Sequence, residues 1–313
     1  PDRYQGQDDA PGEVAVHGLG TLFPHPMHGK NGTADSDFYE AVLHSSFGIQ
    51  LIFNFANAAI VEEKLGQRGV TDLLAISVSS LDLIGHVFGG TSHEYQEALA
   101  TLDDELAKLF LFLEQRFPNK EDVLIAFTAD HGTTPSAEQF RGTRLEAGRI
   151  KRQAIQDVVQ KKLEQEVGPG NWVLAVEEPS VYLNTDLIQK SRFSTEQIED
   201  MAGQATMSLS GMAGYLTRTQ ILQGKIPQTE MARAITRSYY PPRGGNVVLW
   251  TVPLFFFGRY AERPAGAMHG SMSRHDTDVP VFLAGPWFAP VDGGVLDMID
   301  LPATISHVLH ISP

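Results

Sequence analysis

Two short apolar runs, residues 73–78 and 123–128, most constrain what this chain can fold into. Both are rich enough in branched residues to read as buried strands. Between them, Tyr95, Leu99, Leu102, Leu106, Leu109 and Leu113 alternate by four and three, so they share one helix face. Thr91 and Glu94 are spaced for a capping box ahead of that helix, and Pro118 closes it. Strand, helix, strand predicts a parallel α/β unit. In such sheets, ligands gather outside the carboxyl ends of the strands. Asp82 and His86 lie just past one end, and Asp130 and His131 just past the other.

The remaining sequence extends this pattern. Residues 1–37 are rich in Gly, Pro, His and Asp and read as irregular, and helical spacing follows over 38–65. Residues 146–168 form a charged amphipathic helix. Strands are expected at 172–176, 181–183, 247–250 and 279–283. Helices are expected at 195–207, 231–237 and 298–309, with Pro302 acceptable in the first turn of the last. Residues 172–237 carry no metal-ligand cluster and read as an inserted lobe or cap.

With 313 residues, the chain can bury a large core in one big α/β domain or two ordinary ones. The net charge of −14 argues against nucleic acid as a partner, since a duplex is itself densely negative. There is no cysteine, which excludes disulfides and thiolate metal sites. The longest apolar run, residues 247–257, contains Pro253 and falls short of the roughly 20 residues that span a bilayer.

Asp82 and His86 are four apart, so on a helix they project from one face, as metal pairs do. Taken alone they also suit a capping Asp and a surface His. Asp130 and His131 are adjacent and would point to opposite faces within a strand. At a strand end the chain turns, and Gly132 permits an unusual backbone angle there. An ordinary N-cap Asp is the alternative reading. His269-Gly270-Ser271 lies in a Gly-rich loop ahead of the 279–283 strand, and His275-Asp276 competes with it as a ligand pair. His25 and His28 could bind metal on spacing, but no carboxylate stands nearby in sequence. His307 and His310 read as helix-face residues, and Asn31-Gly32-Thr33 matches a glycosylation acceptor.

Taken in order, these pieces resemble the alkaline phosphatase superfamily. The likeness is greatest to its phosphate-irrepressible periplasmic branch, close to the nucleotide pyrophosphatase/phosphodiesterases. It runs through Phe23-Pro-His25, residues 53–60 and 71–82, His86, and Phe127-Thr-Ala-Asp-His-Gly132. It continues through Tyr239-Tyr-Pro-Pro-Arg243, His269-Gly-Ser271, Asp276-Thr-Asp-Val-Pro280 and Asp300-Leu-Pro-Ala-Thr304. The resemblance implies a three-layer α/β fold with a largely parallel central sheet, of which residues 1–313 are the C-terminal part, the N-terminal strands being absent. It implies two zinc ions. Asp82, His86 and His269 would hold one, and Asp130 and His131 would give two ligands to the other.

The resemblance also implies a periplasmic or secreted hydrolase of small-molecule phosphate esters that works through a Thr or Ser phospho-enzyme. The expected nucleophile, a further Asp ligand and the basic groups that grip phosphate all precede the Asp82 position by a long stretch. Only 81 residues precede Asp82 here, and they hold no matching segment. No catalytic nucleophile is therefore assigned. Ser79, Ser80, Thr128, Thr133 and Thr134 lie near the ligands, but the resemblance supports none of them. The second zinc site is expected to be incomplete, the missing N-terminal portion is the expected partner, and these residues alone are expected to be inactive. The alternatives are a non-catalytic metal- or phosphate-binding relative and a phosphomutase on the same fold. Sulfatases share the fold but tend to show Asp-Asn where this chain has Asp130-His131.

Overall fold

The computed structural model describes residues 4–29, 32–262 and 264–311. Asn31 of the glycosylation match lies outside them. After an irregular start come helices α1 (Ser36–Leu43), α2 (Ser46–Glu62), α3 (Ser79–Phe88) and α4 (His93–Arg116). Strands β1 (Ile125–Thr128), β2 (Thr134–Pro135) and β3 (Gly148–Lys151) precede helix α5 (Arg152–Glu166). Next are β4 (Val173–Glu177), β5 (Ser180–Leu183), α6 (Thr185–Lys190), α7 (Thr195–Thr206) and β6 (Met212–Thr217). Helices α8 (Arg218–Gln223) and α9 (Glu230–Ser238) lead to β7 (Val247–Thr251), β8 (Phe255–Gly258) and β9 (Ala267–Met268). Helix α10 (Arg274–Thr277), β10 (Val281–Ala284) and α11 (Asp300–Val308) finish the described chain.

Two packed bodies of side chains hold these elements. In the first, Ile49, Phe53 and Ile60 of α2 close on Ile84 and Phe88 of α3 and on Ala98, Leu102 and Leu109 of α4. In the second, α5 and α7 cover a four-stranded sheet of order β4-β5-β7-β6. All pairings in that sheet are antiparallel. Val247 and Leu249 of β7 face α5 and α7, while Val248 between them packs with Ile221 of α8 and Ile235 of α9. Burial on both faces explains the unbroken apolar run of β7. Residues 212–217, another buried strand of this sheet, escape the sequence pattern because Ala213, Gly214 and Thr217 dilute it.

Several expectations change. The 73–78 run forms no strand pairing among the described residues, and Leu73 is 78% exposed. The parallel ladder expected between it and 123–128 is absent. Instead β1 pairs antiparallel with β10, with Ile125 opposite Ala284. The parallel pair among the described residues is β3 with β8. Ser92, not Thr91, caps α4, its hydroxyl accepting from the Tyr95 amide. Glu94 is drawn away from any capping box by His25, 2.7 Å from its carboxylate. Leu99 is 45% exposed although its register is right. The start of the 146–168 helix is strand β3, the Phe255–Gly258 strand having captured it.

Candidate metal centre

Helix α3 does for Asp82 and His86 what the spacing predicts. Both project from one face, with His86 Nε2 3.4 Å from Asp82 Oδ2. His131 follows the end of β1, and β2 then pairs with β9 so that Thr134 lies opposite Met268. That short ladder carries His269 to His131, and the two rings stack with centres 3.6 Å apart, tilted by 11°. The Gly266 amide donates to the His86 carbonyl at 2.8 Å and ties β9 to α3. A Cβ on Gly266 would sit 2.2 Å from the Gly89 nitrogen, so only glycine allows this approach.

The donor atoms converge. His269 Nε2 lies 3.2 Å from His86 Nε2 and 3.8 Å from Asp82 Oδ1, and His131 Nε2 lies 3.9 Å from the same Asp82 oxygen. Ligands bound at 2.0–2.2 Å around a tetrahedral ion stand about 3.4 Å apart. His86 Nε2 and His269 Nε2 stand near that spacing from each other and from Asp82, His86 against Oδ2 and His269 against Oδ1, so the donor types and their spacing suit a zinc-type ion. Protonation states agree. His86 Nδ1 faces the Ala267 carbonyl oxygen at 3.1 Å and His131 Nδ1 faces the Gly132 carbonyl oxygen at 2.9 Å. A carbonyl only accepts, so each Nδ1 carries the proton and each Nε2 keeps its lone pair. Burial, reinforced by the charges of His131 and His86, lowers the His269 pKa and favours its neutral, ligating form.

All five expected ligands are in one neighbourhood. Asp82, His131 and His269 offer donor atoms within 4.8 Å of one another, so Asp82 stands between the two expected ligand sets. Asp130 is the outlying member: its Oδ2 is 3.6 Å from His131 Nε2, and its side chain is 89% exposed.

Asp276, read in the sequence only as half of a competing ligand pair, organises the site instead. It is 3% exposed. Its carboxylate accepts from the Thr134 hydroxyl at 2.9 Å and from the Ser271 amide at 2.8 Å, and its carbonyl accepts from the Gly132 amide at 2.8 Å. One buried residue thereby clamps both ligand loops. The sequence holds no signal of this beyond an Asp in the resembling segment, because burial is a tertiary property. Gly132 is needed for a different reason than expected. It is not among the glycines with positive φ, but a Cβ there would meet the His275 carbonyl oxygen at 2.1 Å. His275 does not compete with His269, since its Nε2 lies 2.9 Å from the Thr134 hydroxyl.

Other groups resolve similarly. The fold supplies His25 with the carboxylate its sequence surroundings lacked: it pairs with Glu94 and stacks on Phe88 at 4.9 Å. His28 Nδ1 lies 3.4 Å from the Gly29 carbonyl oxygen. Ser80 and Thr134 are buried, and the Thr134 hydroxyl is already committed to Asp276. Ser79 Oγ lies 3.2 Å from Ser77 Oγ, and the Thr128 hydroxyl donates to the Ala129 carbonyl oxygen at 3.3 Å. Glu178 packs behind the His269 loop, where a Cβ on Gly270 would lie 3.4 Å from its carboxylate. Burial, with repulsion from Asp276, pushes its pKa up to about 8.

With this geometry in view, comparison with known proteins is informative. The chain is 28% identical over 276 residues to a protein of Myroides odoratus named calcium-transporting ATPase, covering 87% of this chain and 50% of that one. It is 28% identical over 265 residues to alkaline phosphatase PhoV of Synechococcus elongatus, covering 84% and 46%. The chain thus spans about half the length of the curated relatives it matches. The crystal structure of alkaline phosphatase PafA superposes with a TM-score of 0.83 at 23% identity, over 98% of this chain and 57% of that one, which establishes a shared α/β fold. Among the described residues no helix is long and apolar enough to cross a membrane. The type I phosphodiesterase/nucleotide pyrophosphatase family matches residues 17–271, and the chain belongs to that family, within the alkaline phosphatase superfamily.

Proposed function

We propose that this chain carries the zinc ligands of a phosphate-ester hydrolase of the alkaline phosphatase/phosphodiesterase type. The observation that carries the reading is the gathering of Asp82, His86 and His269, with His86 Nε2 3.2 Å from His269 Nε2 and 3.4 Å from Asp82 Oδ2, and His269 Nε2 3.8 Å from Asp82 Oδ1. Asp82, His86 and His269 hold one zinc, and Asp130 with His131 contributes to a second. When bound, zinc supplies Lewis-acid charge against the oxygens of a phosphate ester.

The chain's own groups do the positioning. The Ala267 and Gly132 carbonyls fix the tautomers of His86 and His131, and Asp276 sets the two loops against each other. Neither Ser80 nor Thr134 serves as nucleophile, since both are buried. The attacking hydroxyl and the phosphate grip are assigned to other parts of the polypeptide that carries this chain, consistent with the half-length match to its relatives. That polypeptide works in the periplasm or outside the cell on small phosphate esters. Residues 172–237 form a lobe that borders the site.

The test is hydrolysis of phosphate mono- and diesters, with zinc content, in the natural polypeptide that carries this chain. Asp82→Asn should remove bound zinc and lower kcat/KM by about 10³ or more, since it deletes a ligand both sites approach. Undiminished hydrolysis by that variant would sink the reading. Residues 1–313 alone should show no activity above a metal-stripped control.

A further inference from the structure

A second group of imidazoles and carboxylates lies outside the cluster just described. His17 stands in the turn closed by the Val16–Leu19 bridge, with the positive φ of 49° that histidine adopts more readily than most residues. His44 caps the C-terminus of α1, four residues after Glu40, so the two share a helix face. The His17 and His44 ring centres are 5.2 Å apart, tilted by 38°. The ligand atoms of His17, Glu40 and His44 all lie within 4.8 Å of one another. Asp37 adds negative charge 3.6 Å from His17 Nδ1.

The ring of His44 is set up as a ligand. Its Nδ1 lies 2.8 Å from the Glu40 carbonyl oxygen, which can only accept. Nδ1 therefore carries the proton, and Nε2 keeps the lone pair, the arrangement found in most metal-bound histidines. Burial pushes the His44 imidazole below its ordinary pKa despite that hydrogen bond, which keeps it neutral near pH 7. Glu40 is exposed and can close on a cation by side-chain torsion alone.

We propose that His17, Glu40 and His44 bind an additional divalent ion of the zinc class, which pins the 16–19 turn to the C-terminal end of α1. Two imidazole nitrogens with one carboxylate suit zinc or cobalt, whereas calcium and magnesium take oxygen ligands. None of the three residues belongs to the Asp82–His269 cluster. It acts as a clip on the irregular N-terminal segment, whose Val14 amide donates to the Val87 carbonyl of α3 at 2.9 Å.

The experiment titrates Co²⁺, then Zn²⁺, into the metal-stripped natural polypeptide, reading equivalents bound and the visible Co²⁺ spectrum. His17→Gln/His44→Gln should bind one equivalent fewer than the parent, and Zn²⁺ should raise its melting temperature less. Equal stoichiometry in parent and double variant would overturn the proposal. Glu40→Gln covers the case in which the double variant misfolds: it should weaken one equivalent by about tenfold or more, and an unchanged titration curve would count against the site. Asp82→Asn should retain the equivalent that His17→Gln/His44→Gln loses, so the two metal assignments stand or fall separately.

Discussion

The sheet β4-β5-β7-β6 and the loops around Asp82 and His269 are stabilised in different ways. The sheet closes its own core. Ile155, Val159, Leu163, Val181, Ile198, Ala202 and Val247 are fully buried among helices and strands from within residues 150–257. On the segments leading to the candidate ligands and in the stretch around and after β10, apolar surface stays open. Leu73 is 78% exposed, Phe282 on β10 64% and Val295 100%. Around the ligands the geometry is held by polar links of long sequence separation, Asp276 to Thr134 and His86 to Ala267. Burial fixes one region and a few directed hydrogen bonds fix the other, so the two should respond differently to the same kind of lesion.

The largest expected effect is on the sheet. Leu163→Ala removes a fully buried side chain between α5 and the strands and should cost about 2–5 kcal/mol. Denaturant unfolding checks the magnitude. If the regions differ as argued, the folded variant keeps its zinc stoichiometry, whereas loss of zinc in the still-folded state would break the comparison. Asp276→Asn is the converse lesion. It should weaken zinc by about 10–100-fold, as loss of an outer-shell partner does, with little change in the unfolding of the sheet. Competition against a metal-chelating dye reads the affinity.

Two carboxylates sharpen the contrast through pH. Glu138 is desolvated, which alone would raise its pKa, but paired hydrogen bonds from Arg149 and the Ser136 hydroxyl hold it at about 2. Its pKa is lower folded than unfolded, so its contribution is full above about pH 4.5 and lost as pH falls towards 2. Glu138→Gln should cost about 1–3 kcal/mol at pH 7, and urea midpoints of parent and variant should converge below pH 4. A gap independent of pH would refute the ion-pair account.

Glu178 has the opposite sign. Its pKa is raised from 4.5 to about 8, so the folded protein holds a proton the unfolded chain releases, and stability falls as pH rises between those values. In metal-free protein, Glu178→Gln should melt at a temperature closer to or above the parent's as pH rises from 5 to about 9. A melting difference that stays constant, or moves against the variant, as pH rises would show that the carboxyl is not buried against Asp276.

Much of the site was legible before the fold. Asp82 and His86 are spaced to share a helix face and Asp130-His131 follows an apolar strand, but it was the resemblance that favoured ligands there over a helix cap and a surface His. The identity of the third ligand did not follow from spacing, because His269 and His275 are equally loop histidines in sequence. The resemblance pointed to His269, and the pairing of β2 with β9 supports that reading by carrying His269 to His131 while the Thr134 hydroxyl meets His275. The fold expectation missed where local pattern and partner disagreed. Residues 73–78 have strand composition, yet a strand exists only when another backbone accepts its hydrogen bonds. Glu94 has capping-box spacing, yet His25, 69 residues away, takes its carboxylate.

What the sequence determined by itself is local: the helical faces of α3 and α4, the apolar runs, and the residue types able to bind a zinc-class ion. What the tertiary structure decided is everything that depends on which distant groups meet. That includes the burial of Asp276, the stacking of His269 on His131, the glycine-only contact at Gly132, and the meeting of His17 with Glu40 and His44. The physical reason is that periodicity reports on neighbours within a few residues, whereas a buried carboxylate or a ligand set depends on loops brought together across more than a hundred.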